Sequence, residues 1–338
     1  MILAQLATEI RYQLYVFRVL YRPIPPAPKL TGAHARPFTI ADPYNYPGEY
    51  RKAQLHLHTS NSKDVQPKIP VAATIEKYRQ RGYQYLVITD HEVITDCSKL
   101  NSPDLAVLPG VEETITFLFW PLGRHLVHIA PSADEKSAPG STSTTGAASI
   151  LQSKFDGALI LPAHPNWQGN LGTGRWYLHD LLQLPNLKLI EIYNHHSSPT
   201  ADLKLWHQLL YRRGFQNPIW AVAVDDSDNG ENIDQGWIMI KTSELTPAAL
   251  MKALIHGAFY ATTGIRADFR AEAGIIQANS ENGTRIQFIN QQNQIVATSN
   301  SNRSQYHPQG DEGFIRIEIT NPQGMTAWSQ PFFLIPKA

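Results

Sequence analysis

His56 and His58 flank Leu57 in Leu55-His56-Leu57-His58, a spacing that puts both imidazoles on one side of an extended chain and the leucines on the other. Two neutral imidazoles on one face form a ready chelate for a divalent transition metal. Taken alone, the pair reads equally well as two hydrogen-bonded structural histidines. Its company changes the balance. Asp64 follows His58 closely, Asp90 and His91 stand together, and Glu112 and Glu113 precede His125 and His128. His164 sits in Pro162-Ala163-His164-Pro165, and Asp225, Asp226 and Asp228 close the series. Each reads singly as a satisfied polar residue. Gathered at one place, their like charges would repel, and metal ions would resolve that conflict.

The segments that must position these residues share one pattern. Apolar runs over Ala53–Leu57, Tyr85–Thr89, Leu105–Val111, Ala158–Ala163, Leu187–Ile190 and Ile219–Val224 each end at or beside one of them, with Glu191 ending the fifth. Continuous apolar stretches are the mark of buried parallel strands. In barrels built from such strands, the reactive groups sit at the strands' C-terminal ends. The expectation is an α/β fold with a metal centre at one barrel mouth.

The 29 basic and 29 acidic residues balance, so there is no global basic field and no strong sign of a nucleic-acid partner. The one cysteine, Cys97, excludes an internal disulfide framework and fits a reducing, cytoplasmic setting. No apolar run approaches the roughly 20 residues of a membrane span. Leu3, Leu6, Ile10, Leu14, Phe17 and Leu20 recur at helical spacing. Met1–Tyr21 is therefore expected as an amphipathic helix packed on the domain, with a membrane-surface helix as the alternative. Oligomeric state is not written in the sequence.

Residues 1–50 read as that helix followed by the proline-rich extended stretch Pro23–Pro47, and 51–265 as the barrel. Helices are expected over Pro70–Arg81, Ala147–Phe155, Arg175–Leu184, Ala201–Arg213 and Pro247–His256. The last has Thr246 to cap it, Pro247 in its first turn and Gly257 past its end. Ser132–Gly146 reads as a loop or a lid. Residues 266–338 read as a small antiparallel β-domain. Its strands are expected over Thr284–Ile289, Gln294–Thr298, Phe314–Thr320 and Trp328–Leu334, separated by turns such as Asn282-Gly283.

Taken in order, Leu55-His56-Leu57-His58-Thr59, Thr89-Asp90-His91, Gly110-Val111-Glu112, Ala163-His164-Pro165 and Val224-Asp225-Asp226-Ser227 resemble the motifs of the PHP (polymerase and histidinol phosphatase) family. The resemblance covers about Arg51 to Gly264. Glu191 in Ile190-Glu191-Ile192-Tyr193-Asn194, and Phe259–Gly264, look like the longer PHP-like phosphoesterases. The resemblance implies a distorted seven-stranded (β/α)7 barrel holding two or three divalent ions. His56, His58, Glu112 and Asp226 would hold one. Glu112 would bridge to a second, held also by His164 and by His128 or His125, with His128 preferred because the apolar Ile129-Ala130 follows it. Asp64, His91 and Asp228 would form a third site. There the sequence departs from the family, which usually closes with Asp-x-His and here reads Asp226-Ser227-Asp228; Asp64 also sits one residue late, behind Lys63. The added oxygen ligand shifts preference from zinc towards manganese, magnesium or iron. Otherwise it leaves the third site weak and the centre with two ions.

The implied activity is a metal-dependent phosphoesterase acting on a small phosphorylated metabolite or nucleotide through a metal-bridging hydroxide. His91 or Asp228 would assist proton transfer if the third ion is absent. Lys99, Arg124 and Arg175 are candidates to hold phosphate oxygens, against a reading as solvated surface charges. Trp167 is a candidate to stack on a base or sugar, against plain packing. Two other classes stay open. One is a metallo-amidohydrolase cleaving a C–N bond; the other is a barrel that has lost catalysis and acts as a binding module, a reading kept alive by Asp228.

Overall fold

The computed structural model describes residues 37–116, 122–130, 159–184 and 186–337. The helices expected over 1–21 and 147–155 and the loop over 132–146 lie outside the described residues. The expected apolar runs become strands. In chain order these are β1 (Phe38–Ala41), β2 (Glu49–Gln54), β3 (Leu57–His58), then helix α1 (Val71–Gln80), β4 (Tyr85–Ile88), β5 (Ala106–Thr116), β6 (Gly123–Ile129) and β7 (Leu159–Pro162). There follow α2 (Leu178–Gln183), β8 (Leu189–Tyr193), α3 (Pro199–Arg213), β9 (Trp220–Ala223), β10 (Ser227–Asp228), β11 (Trp237–Thr242), α4 (Pro247–His256) and β12 (Phe259–Thr262). The fold is mixed α/β and rich in strand.

β2 pairs parallel with β4 across helix α1 and β8 with β9 across helix α3, while β4 pairs parallel with β5 across the helix-free stretch 89–105. All four residues of β4 are buried, as in a strand covered on both faces. β5, β6 and β7 instead pair antiparallel. The physical reason at β5–β6 is the link: residues 117–122 join them, far short of the dozen or so residues a parallel crossover needs. β11 likewise runs antiparallel to both β2 and β12. Among the described residues the ladders therefore do not close into one ring of parallel strands, and β8–β9 stand as a separate pair.

Helix α4 forms where its punctuation predicts. The Thr246 hydroxyl accepts the Ala249 N–H at 3.1 Å, Pro247 opens the first turn, and Gly257 takes a left-handed φ of 83°. Its buried face is Leu250, Ala253 and Leu254. No described helix is long and apolar enough to cross a membrane.

The C-terminal segment adds β13 (Ala267–Glu272), β14 (Ile275–Ser280), β15 (Arg285–Asn290), β16 (Ile295–Ser299), β17 (Arg303–Tyr306), β18 (Phe314–Thr320), β19 (Thr326–Trp328) and β20 (Phe332–Pro336). β13, β14 and β17 make a three-stranded sheet that the sequence reading did not anticipate. The strand expected over 328–334 breaks into β19 and β20. Pro331 cannot donate to a ladder, and the buried Gln330 turns its side-chain amide onto β9, accepting from Ala221 N–H at 2.9 Å and donating to Ala221 C=O at 2.8 Å. The ladder of β12 with β19 carries a thirteen-stranded sheet across residues 265–266. Phe314, Trp328 and Phe333 share one apolar core with Leu189, Val222 and Leu250, while Tyr44, Phe269, Phe288 and Ile317 centre a second.

Candidate metal centre

Strand ends deliver the candidate ligands. His56 lies between β2 and β3, His58 ends β3, and Asp226 precedes β10, whose Asp228 pairs in register with His58. His91 follows β4 and bridges to Glu112 of β5. His164 follows β7, and Glu191 lies within β8. In the β5–β6 ladder Thr114 faces His125 and Glu112 faces Val127, so Glu112, Thr114 and His125 share one face of the sheet.

Two groups of donors result. His56, His58, Glu112 and Asp226 are all buried, and their ligand atoms lie within 4.8 Å of one another. Oε2 of Glu112 is 3.2 Å from Nε2 of both His56 and His58, while Oδ1 of Asp226 is 3.1 and 3.0 Å from the same two nitrogens. The second group is His91, Glu112 and His125. Here Oε1 of Glu112 is 3.1 Å from Nδ1 of His125 and 3.2 Å from Nε2 of His164. Nδ1 of His91 is 3.3 Å from Oε2. One carboxylate thus serves both groups.

The donor set fits divalent ions. His56 Nε2 and Glu112 Oε2, which face each other across the first group, are buried without a hydrogen-bond partner, a costly state for polar atoms unless something else satisfies them. The electrostatics agree. Burial opposes ionisation of Glu112, yet His56, His91 and His125 hold its carboxyl well below the usual range. Burial also opposes ionisation of Asp226, and the His56 and His58 imidazoles overcome it. In return, and against the cost of burial, Asp226 and Glu112 push His58 up to about 10 and, with Glu191, hold His56 well above the ordinary imidazole value. The carboxylates demand compensating positive charge, which either protons or metal ions can supply. His91 goes the other way, down to about 4, because burial and the neighbouring His58 and His125 outweigh Glu112.

Two of the clustered residues hold left-handed backbone, His164 at φ 29° and Asp226 at φ 50°. Such conformations persist only where the surroundings enforce them, and they gather at functional sites. Asp226 N–H donates to His56 C=O at 3.1 Å, and His164 N–H donates to Glu191.

His58, Glu112, His125, His164 and Asp226 line a cavity of roughly 240 Å³, and the expected Trp167 closes one wall. Its ring centroid is 4.9 Å from that of His125 and 4.8 Å from that of His164. Asp64 and Asp228 stand at the exposed rim of the same cavity, with Asp64 Oδ2 3.7 Å from His91 Nε2.

Other expectations are corrected. His128 is not beside Glu112. It lies an odd number of residues from His125 on the same strand, so it points to the opposite face, where Nε2 is 3.6 Å from Glu113. Arg124 also points away. It donates from Nε to the Arg175 carbonyl at 2.7 Å and pairs with Asp180 at 3.3 Å. Neither Arg175, whose guanidinium lies 5.8 Å from the Tyr177 ring centroid, nor the exposed Lys99 lines the cavity. Asp90 and Asp225 serve the frame: Asp90 accepts Thr59 N–H and O–H at 2.6 and 2.8 Å, and Asp225 accepts Gln235 and Gly236 N–H at 2.7 and 3.0 Å.

Sequence reasoning passed over Thr114, Asn170 and His196 in the cavity wall. It also gave no role to Asn194, which donates to both Glu191 and Asp226 at 2.9 Å. The signal for Asn194 and His196 was present, because both follow directly on the end of β8.

No protein-family model and no curated protein matches the chain. Solved structures do. A two-domain protein containing a predicted PHP-like metal-dependent phosphoesterase from Bacteroides vulgatus is 15% identical, over 89% of this chain and 91% of that one, with a TM-score of 0.48. An amidohydrolase from Chromobacterium violaceum is 15% identical over 53% of this chain and 89% of that one, with a TM-score of 0.37. A lesion-specific endonuclease from Pyrococcus furiosus is 12% identical over 61% of this chain and 56% of that one, with a TM-score of 0.38. The chain is thus similar to a PHP-like protein, the family its motifs resemble. At such low values the function must be argued from the site itself.

Proposed function

We propose that this chain is a metal-dependent hydrolase, and within that class a phosphoesterase acting on a small phosphorylated metabolite or nucleotide. The observation that carries the reading is the sharing of Glu112: Oε2 lies 3.2 Å from His56 and His58 and 3.3 Å from His91, while Oε1 lies 3.1 Å from His125 and 3.2 Å from His164. His56, His58, Glu112 and Asp226 would hold one divalent ion, and Glu112, His125 and His164, with His91 at the edge, a second. Asp64, His91 and Asp228 would form a looser, oxygen-rich third site at the rim; neither tight donor group includes the two aspartates. When bound, paired divalent ions lower the pKa of water and offset the charge of a phosphoryl group.

The chain's own residues supply the rest. Trp167 walls off one side of the cavity and excludes water from it. If the third ion is absent, His91 or Asp228, both on the cavity wall, would take part in proton transfer. We also propose that residues 51–265 are a distorted (β/α)7-type barrel followed by a β-domain over 266–338. In support, β7 packs beside β8, and β9 beside β11 and β12, where no ladder joins them. A cytoplasmic setting belongs to the same proposal, supported by the single, buried Cys97.

One observation favours a second reading. Among the described residues no lysine or arginine lines the cavity, so the phosphate clamp expected from Lys99, Arg124 and Arg175 is not there. A metallo-amidohydrolase needs water activation but no such clamp. The test is hydrolysis of an aryl phosphomonoester, an aryl phosphodiester, an anilide and a duplex bearing an abasic site, each with manganese or with chelator. Manganese-dependent turnover of either aryl phosphate supports the proposal. Turnover of the anilide alone favours the second reading, cleavage of the duplex alone replaces the small-molecule substrate with nucleic acid, and no turnover with metal bound leaves a binding module.

A further inference from the structure

Two residues behind the ligands have every polar contact committed. Glu191 is fully buried; its Oε1 takes the Nδ1–H of His56 at 2.7 Å, and its Oε2 takes the His164 backbone N–H and one side-chain N–H of Asn194, the latter at 2.9 Å. Asn194, also fully buried, gives its other side-chain N–H to Oδ2 of Asp226 at 2.9 Å and accepts the His196 N–H at 2.9 Å.

We infer that Glu191 and Asn194 are positioning residues that aim His56 and Asp226 at the first donor group, an inference that rests on the metal-dependent reading above. A carboxylate can only accept, so the bond from Glu191 fixes Nδ1 of His56 as the protonated nitrogen. Nε2, the nitrogen without a partner, is then turned to Oε2 of Glu112 and Oδ1 of Asp226. Asn194 occupies Oδ2 of Asp226, which leaves Oδ1 facing His56 and His58. The same Glu191 carboxylate holds the backbone of His164, whose φ is 29°, so it ties a ligand of the second group to a ligand of the first. Outer partners of this kind set ligand direction and basicity, and their loss typically costs roughly 10- to 100-fold in metal affinity.

The experiment is calorimetric titration of the full chain, stripped with chelator, with manganese alone. Wild type is compared with Glu191→Gln, which is isosteric, and Asn194→Ala, which removes the Asp226 contact by a different route. The inference expects the tighter manganese site to weaken roughly 10- to 100-fold in both variants with unchanged circular dichroism. A cobalt-loaded sample adds a spectroscopic check, because the exchangeable Nδ1–H proton resonance of His56 should shift or vanish in Glu191→Gln. A loss below about tenfold in both variants, with lowered melting temperatures alone, overturns the inference and assigns the pair a packing role. Wild type that takes up no manganese overturns the metal-dependent reading, and this inference with it.

Discussion

Nδ1 of His125 stands 3.1 Å from Oε1 of Glu112, on the one face of the β5–β6 ladder that both side chains share. His128, three residues further along the same strand, points to the other face. Replacing His125 by alanine should therefore remove one metal ion and lower kcat by more than the roughly 10- to 100-fold expected of an outer-shell change. Replacing His128 by alanine should leave metal content intact. Elemental analysis and a rate measurement on both variants decide this, and the reverse pattern would return His128 to the site.

Gly174 is a packing device for Trp167. A β-carbon there would come within 2.4 Å of the Trp167 ring, and no left-handed backbone excuses the absence of a side chain. Gly174→Ala should displace the indole from its place beside His125 and His164 and lower kcat/KM, as Trp167→Leu should by removing the wall. Steady-state kinetics on the two variants check this. Unaffected variants would show that the Trp167 wall plays no part in turnover.

His207 links helix α3 to the C-terminal strands. Nε2–H donates to the Gln291 carbonyl at 2.9 Å and Nδ1 accepts from Arg316 at 3.3 Å, a pattern open only to neutral imidazole. Burial, reinforced by the Arg316 charge, lowers its pKa to about 4 against the opposing Gln291 carbonyl. A depressed folded value contributes stability that is present above the unfolded pKa near 6.5 and is lost as pH falls towards 4. The contribution is on the order of 3 kcal/mol, from about 1.36 kcal/mol per unit. Denaturation of His207→Gln, whose amide can make both bonds without titrating, should show a flatter fall in stability between pH 7 and 4.5 than wild type. Parallel curves would contradict it.

Metal should stabilise the fold as well as serve chemistry, since its donors are buried and mutually repulsive without compensation. Saturating manganese at about 100 times Kd is expected to add about 2.7 kcal/mol. In Asp226→Ala, which leaves the Nε2 atoms of His56 and His58 without their nearest carboxylate oxygen, the gain should largely disappear. Thermal melts with and without manganese read this directly, and an equal gain in the variant would place the ion elsewhere.

Much of this site was legible because its residues sit at the ends of apolar runs. His56, His58, Glu112, His164 and Asp226 converge as that pattern predicts. Helix α4 was legible because Thr246, Pro247 and Gly257 are local signals. The choice between His125 and His128 was not, since it depends on the pairing register of β6, which lies in a partner strand. Nor was the fate of Arg124: a charge near a ligand strand reads as a clamp until Asp180 and the Arg175 carbonyl are seen to hold it. The β13–β14 hairpin escaped because Ala267–Glu272 interleaves Asp268, Arg270 and Glu272 with the single fully buried Phe269, too weak a pattern to announce a strand.

The central claim is that Glu112 joins two metal sites, and the most direct measurement is the number of ions bound per chain. Protein purified without chelator and then saturated with manganese should carry at least two ions per chain by elemental analysis, and Glu112→Gln should lose both tight sites together. Fewer than one ion per chain in the wild type, or loss of a single ion in Glu112→Gln, would contradict the shared-carboxylate account.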